Sequence, residues 1–181
     1  YIRDYGISAA GQALGIPASV TISGASAYNN SYEASSVQAF AAAGDPSLLR
    51  VADVDYVKPE QMQSQEFGYR GKLTRTFTID AAVYRNDFQD FINTQVVLSP
   101  LYGEVGDGGL SVLAMANGDF ETWSSYTNSP AEISSWGVSI GAQTKIFGNF
   151  DLSANYTKSK LEFEQSLYPD FRTNWNTPEH K

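Results

Sequence analysis

Four groups of residues in this chain have types and spacings that carry chemistry in other proteins. Glu60 and Glu66 form a candidate acid/base pair, because one protonated and one ionised carboxyl can pass a proton to and from a substrate. Asp87 and Asp90 offer the hard oxygen ligands that Ca²⁺ takes. The run Gly103-Glu104-Val105-Gly106-Asp107-Gly108-Gly109 is rich in glycine, as phosphate-wrapping loops are. His180 is the single histidine. Each group also has a plainer reading, and the chain favours it. Glu60 leads into a strand, and Glu66 stands on that strand's polar side. Asp87 and Asp90 fall at a hydrated strand end. Neither a Lys-Ser/Thr pair nor a helix is expected after Gly109, so the phosphate reading fails. A lone His in a chain without Cys builds no multi-His or thiolate metal site. His180 is expected as a structural residue at a strand start. No catalytic set, metal site or cofactor is therefore expected, and the chain is read as no enzyme.

The chain has 181 residues, enough for one ordinary core. Its 12 Lys and Arg stand against 20 Asp and Glu, a formal net charge of -8. That balance excludes a nucleic-acid partner, which needs a basic face to displace counterions. It suits a soluble acidic protein and a polar extracellular surface equally. No run approaches the roughly 20 apolar residues of a spanning helix. Membrane β-barrels are untouched by that test, because their strands hide apolar residues in alternation. The 11 Tyr, 10 Phe and 3 Trp, set among many Ser, Thr, Asn and Gly, favour strands and turns. The chain opens on Tyr1-Ile2-Arg3-Asp4, without initiator Met or signal peptide, and stops at Pro178-Glu179-His180-Lys181; it is expected to be an excised segment.

Alternation places the elements. Gln65, Phe67 and Tyr69 fall on one face of a strand, and Glu66, Gly68 and Arg70 on the other. After a break at Gly71-Lys72, Phe77, Ile79, Ala81 and Val83 oppose Thr78, Asp80, Ala82 and Tyr84, which predicts a hairpin over 61–92. Trp136, Val138, Ile140 and Ala142, the turn Phe147-Gly148-Asn149-Phe150, then Leu152, Ala154 and Tyr156 predict a second over 132–163. Long connections separate them at 8–57, 93–130 and 164–177. Ile16 to Ile22 suits a short strand. Ser35 to Ala43 predicts a short helix with Ser35 or Ser36 as N-cap and Gly44 as stop. Asn117-Gly118 predicts a tight hairpin turn inside 93–130. Short turns at one end and long loops at the other are the asymmetry of outer-membrane barrels. The expected fold class is all-β: antiparallel hairpins of a transmembrane barrel with long extracellular loops and a short helix near 35–43, although a soluble sandwich can show the same asymmetry by chance.

Lys58-Pro59-Glu60 followed by Ser64-Gln65-Glu66-Phe67-Gly68-Tyr69-Arg70-Gly71 resembles the K-P-E…S-x-E-x-G-Y-[KR]-G segment of TonB-dependent receptor barrels. The stretch from Phe77 to Ile92 is similar to that family's next strand, with its Y-x-N-D-[FY]-x-D-[FL]-I ending. Ser135-Trp136-Gly137-Val138-Ser139-Ile140-Gly141 resembles a later strand, with Ser139 where Glu is usual. Leu152-Ser153-Ala154-Asn155-Tyr156-Thr157 and Asn176-Thr177-Pro178-Glu179-His180-Lys181 complete the series. The five elements keep the family's order over roughly 57–181, while 1–56 correspond loosely. The resemblance implies a place in the cell outer membrane and uptake of a siderophore, glycan or other scarce nutrient. It implies outer-membrane lipid as surroundings, TonB as energy source through a plug that this chain lacks, and a surface lipoprotein as a further partner.

Under that reading Glu66, Arg70, Asp80, Tyr84 and Asn155 face the lumen. Tyr102, Trp123, Tyr126, Tyr168 and Trp175, all in the long connections, either stack on a sugar or siderophore ring or pack their loops together. Phe147, Phe150 and Tyr69, beside the short turns, form either an aromatic girdle or ordinary hairpin-end packing. The alternative is a soluble β-sandwich of carbohydrate-binding type. The two differ in where Phe77, Ile79, Val83, Val138, Ile140 and Leu152 point: at lipid in a barrel, at a second sheet in a sandwich.

Overall fold

A computed structural model describes residues 1–148, 150–172 and 178–180. The elements in chain order begin with β1 (Ile2–Gly6), α1 (Ala9–Ala13), β2 (Ser19–Ser23), α2 (Ser26–Asn29), β3 (Tyr32–Glu33) and α3 (Ala34–Ala43). The two long strands β4 (Gln61–Lys72) and β5 (Phe77–Gln89) follow, then β6 (Ile92–Pro100), α4 (Leu110–Asn117) and β7 (Phe120–Asn128). The chain continues with β8 (Ile133–Ile146), β9 (Phe150–Glu162) and the short β10 (Phe171–Arg172). They divide into two units: one comprises Tyr1–Lys58, Ile92–Ser129 and Gln165–Thr173, the other Pro59–Phe91, Pro130–Glu164 and Asn174–Lys181.

The second unit is one antiparallel sheet in the order β4-β5-β8-β9. Its strands run 12 to 14 residues, longer than globular strands usually do. The first hairpin closes later than the sequence predicts. Gly71 and Lys72 remain paired, with Ile79 and Thr78, and the turn falls at 73–76. The Thr74 hydroxyl accepts from the backbone N–H of Phe77 at 3.0 Å and holds this turn, a local tie that the Gly71 cue hides. The second hairpin turns through Phe147 and Gly148, both at positive φ (49° and 75°), the hand that suits twisted strands. On the far side of β9, Glu179 accepts from the Ser159 N–H at 2.9 Å and His180 bridges to Lys158. His180 thus makes an isolated bridge to β9, outside the strands assigned among the described residues.

The first unit has conventional buried cores. β6 is central, with β7 along one edge and β10 and β3 sharing the other. Val37 and Phe40 of α3, Leu98 of β6 and Met115 of α4 form one cluster; Ile7, Leu101, Tyr102 and Ala114 form another. The strand expected at 16–22 lies at Ser19–Ser23, paired with β1. The helix expected at 35–43 is present and ends on Gly44 at φ 69°. Its N-cap is Glu33, not Ser35 or Ser36, because Ser36 turns its hydroxyl back to the Glu33 carbonyl at 2.7 Å. Ser35 instead donates both its N–H and its hydroxyl to the Asp170 carboxylate, at 2.6 and 2.7 Å.

Asn117-Gly118 makes no hairpin. Gly118 is the left-handed cap of α4, at φ 75°, and β7 pairs with β6 across the whole connection. The left-handed preference that suits a tight β-turn serves a helix end equally. The helix was hidden because Leu110–Asn117 buries only Ser111, Ala114 and Met115. Thus a helix does follow the glycine-rich loop. Asp107 fills that loop itself, accepting from the Gly109 N–H at 2.9 Å and the Ser111 hydroxyl at 2.9 Å. The Gly109 N–H foremost holds the Asp107 carboxyl below the usual carboxylate range, so the loop presents an anion, not a phosphate cradle.

Candidate functional site: a two-faced sheet and an aromatic loop surface

Register sorts the four long strands into two chemically distinct faces. On one, Glu66 lies opposite Tyr84, Tyr84 opposite Gly137, and Gly137 opposite Ser159. Further along the same face, Arg70, Asp80, Gly141 and Asn155 form one row. The five residues singled out as lumen-facing thus share a face. Its remaining positions are small or polar, among them Ser139, Thr157, Gln143 and Ser153. Arg70 Nε and Asp80 Oδ2 stand 3.6 Å apart across the strands, both exposed, so this pair adds little stability. The Tyr84 ring covers Gly137 so closely that a Cβ there would collide with it. Glycine is what lets that aromatic ring lie against the strand.

The other face is apolar and bare. Phe67, Val83, Val138 and Lys158 make one row; Tyr69, Ala81, Ile140 and Tyr156 the next; Ile79, Ala142 and Ala154 a third. Phe67 is 79% exposed, Val83 47%, Ile140 47% and Leu152 55%. A sandwich would bury these side chains against a second sheet. Among the described residues no second sheet covers them.

The two ends of the apolar face differ. At one end Ile146 pairs with Phe150, beside the exposed Phe147. At the other, Arg85, Trp136 and Lys160 form a row, and the Lys158 ammonium lies 5.8 Å from the Trp136 ring centre. The row of Trp136 and the row of Ile146 are ten residues apart on β8, roughly 33 Å of strand. A barrel tilt of about 40° reduces this to roughly 25 Å, the height of a barrel's apolar band. Tyr69 was expected beside the short turns but lies in the row of Ile140, because the second hairpin reaches further than the first.

The loop aromatics separate. Tyr102 is buried, and burial foremost keeps its hydroxyl protonated to higher pH than usual. It donates to Asp119 at 3.0 Å and accepts from Asn117 at 3.0 Å. Its ring packs in the core and offers no stacking surface. Trp123 meets Tyr1 edge to face at 5.7 Å. Tyr126 is exposed on β7, and Tyr168 packs edge to face on Phe171 at 6.3 Å. Trp175 lies outside the described residues. Two aromatics that no periodicity marks join Tyr126: Tyr28 stacks on Tyr56 at 4.8 Å and donates its hydroxyl to the Tyr126 carbonyl at 3.3 Å. Tyr28 stands in a one-turn helix and Tyr56 in an extended lead-in, where pattern reading has no grip.

A family model described as TonB dependent receptor-like, beta-barrel, matches residues 10–181. No curated protein and no solved structure matches the chain.

Proposed function

Because the chain belongs to the TonB-dependent receptor β-barrel family, we propose that its two hairpins form part of the wall of an outer-membrane nutrient importer. The family is one of receptors and transporters of the outer membrane, not of enzymes. One observation supports the finer reading: in the four strands' central rows Phe67, Val83, Val138 and Ile140 share one face, which Lys158 interrupts, while Glu66, Arg70, Asp80, Tyr84 and Asn155 share the other. A bilayer on the first side and water on the second suit the two faces.

In this reading Glu66, Arg70, Asp80, Tyr84 and Asn155 line the lumen. The segments 8–57, 93–130 and 164–177 lie outside the cell, and the turns at 73–76 and 147–149 face the periplasm. Trp123, Tyr126 and Tyr168, with Tyr28 and Tyr56, give the outer loops their aromatic surface for a siderophore, glycan or other scarce nutrient. TonB supplies the energy through a plug, and a surface lipoprotein assists capture.

The chain has no Cys, so single cysteines report without background from it. Placed in the membrane-inserted receptor, Val83→Cys and Ile140→Cys should carry a fluorophore that a lipid-dissolved quencher reaches. Ser139→Cys and Asp80→Cys should react with a water-soluble maleimide. The reverse pattern, or equal quenching at all four, would overturn the assignment.

A further inference from the structure

A groove of about 620 Å³ crosses the first unit, on the face of β6 that carries α3 and α4. Its floor is Val96 and Leu98 of β6 with Phe120 of β7. Phe40 of α3 and Met115 of α4, buried in one cluster with Leu98, also line it. Arg172 of β10 is level with Thr94, whereas Phe120 is level with Pro100. Six residues along β6 separate those levels, roughly 20 Å. We propose that this groove binds a single-chain amphiphile, its apolar tail on Leu98, Phe40 and Met115 and its carboxylate on Arg172.

Three features select that class of ligand. The volume lies within the range of small-molecule sites, which are mostly apolar with a few placed polar groups. Water in the apolar end would lack the two to four polar partners it needs, so an apolar occupant is favoured there. Arg172 supplies the polar end. It makes no ion pair among the described residues, and its neighbour Asp170 is engaged by both donors of Ser35. A guanidinium matches a carboxylate with two parallel hydrogen bonds and repels a cationic head.

Competing occupants fit less well. A peptide adding as a strand needs a free edge, but both edges of β6 are taken, by β7 and by β3 with β10. A bare sugar needs many hydrogen bonds, and among the described lining residues Gln38, Thr122 and Arg172 supply the polar side chains. Arrival of the ligand from outside the cell rests on the reading of these loops as extracellular. Binding does not, so the test reads binding alone.

The membrane-embedded receptor is labelled with a photoreactive dodecanoate and the adducts are mapped by mass spectrometry. Label is expected on peptides carrying Phe40, Met115 and Phe120, and unlabelled dodecanoate should compete it away. Arg172→Gln should reduce it roughly tenfold, the loss of one charged hydrogen-bonded contact. Ala41→Trp, at an exposed position beside the groove, should block it without disturbing the core. The methyl ester should label the wild type no better than dodecanoate labels Arg172→Gln. Equal labelling of wild type and Arg172→Gln, or adducts confined to the sheet face at Phe67 and Ile140, would overturn the proposal. A receptor that binds dodecanoate here yet fails the cysteine test would sink the importer reading and leave this site standing.

Discussion

Replacing Ile140 with Arg tests the orientation of the sheet at its most sensitive point. The Ile140 row lies six residues from the Ile146 row and four from the Trp136 row. Along a tilted strand these become roughly 15 and 10 Å from the two ends of the apolar band. A side chain at that depth sits near the bilayer middle, where an outward Arg costs about 2–4 kcal/mol. At about 1.36 kcal/mol per tenfold, Ile140→Arg should lower the folded-to-unfolded ratio roughly 30- to 900-fold. Two controls isolate the cause. Phe150→Arg, at the interface end of the same face, should cost about 0–1 kcal/mol. Ser139→Arg, one residue away on the opposite face, should cost as little, because its guanidinium stays in water. Folded receptor resists unfolding by detergent in the cold and migrates faster on gels, so its fraction can be followed through a urea series in lipid vesicles. Equal midpoints for Ile140→Arg and Ser139→Arg would refute the two-faced argument, since adjacent residues of one strand would then share one environment.

Three further outcomes concern the loop unit. Asp119 accepts from the Ser8 N–H at 2.9 Å, the Ser8 hydroxyl at 2.8 Å and the Tyr102 hydroxyl; Asp119→Ala should cost about 3 kcal/mol, read as roughly hundredfold faster hydrogen exchange in α1. Asp170→Ala should cost about 2 kcal/mol by freeing both Ser35 donors, and exchange should quicken at the Val96 N–H, which bonds the Asp170 carbonyl at 2.8 Å; an unchanged Val96 rate would argue against that clasp. Burial pushes the Glu33 carboxyl above its ordinary range, with Arg50 at 3.2 Å opposing and Asp170 adding to the rise. The protonated form therefore favours folding, fully so below the ordinary Glu range, and that contribution fades as pH rises through the raised value. Glu33→Gln should flatten this part of the pH profile of limited proteolysis in the first unit, and profiles that coincide would remove Glu33 as the cause.

The long strands were legible because period two is a strong signal when each face keeps one chemistry over many residues. Glu66, Tyr84, Asp80 and Asn155 could be set on one side from alternation alone, and pairing then made them neighbours. The loop unit was far less legible. Its helices are short, and α4 borrows its stability from Tyr32 and Leu98, which are distant in sequence. Its serines also make distant ties: Ser35, not a cap, is clasped by Asp170, 135 residues away, and Ser8, which caps α1 through the Gly11 N–H, donates to Asp119, 111 residues away. Local reading assigns such a serine to its own helix end and cannot see the carboxylate that uses it. Tyr102 failed as a candidate ligand contact for the same reason. Its position in a long connection suggested exposure, but the Ile7 and Ala114 cluster pulls it inside.

The two units solve opposite problems with the same residue types. In the first, apolar side chains such as Val97 and Met115 are withdrawn from water, and Tyr32 and Ser111 pair their buried hydroxyls at 2.8 Å. In the second, Phe67, Val83 and Ile140 stay outside, and the polar set faces the other way. That arrangement is unfavourable in water and favourable in lipid, where all backbone groups must also be paired. A four-stranded sheet leaves edge N–H and C=O groups on β4 and β9, each costly in hydrocarbon. Ser159 of β9 donates its N–H to the Glu179 carbonyl at 2.9 Å. In the proposed wall, closure pairs these edges, with one face held by acyl chains and the other exposed to the lumen.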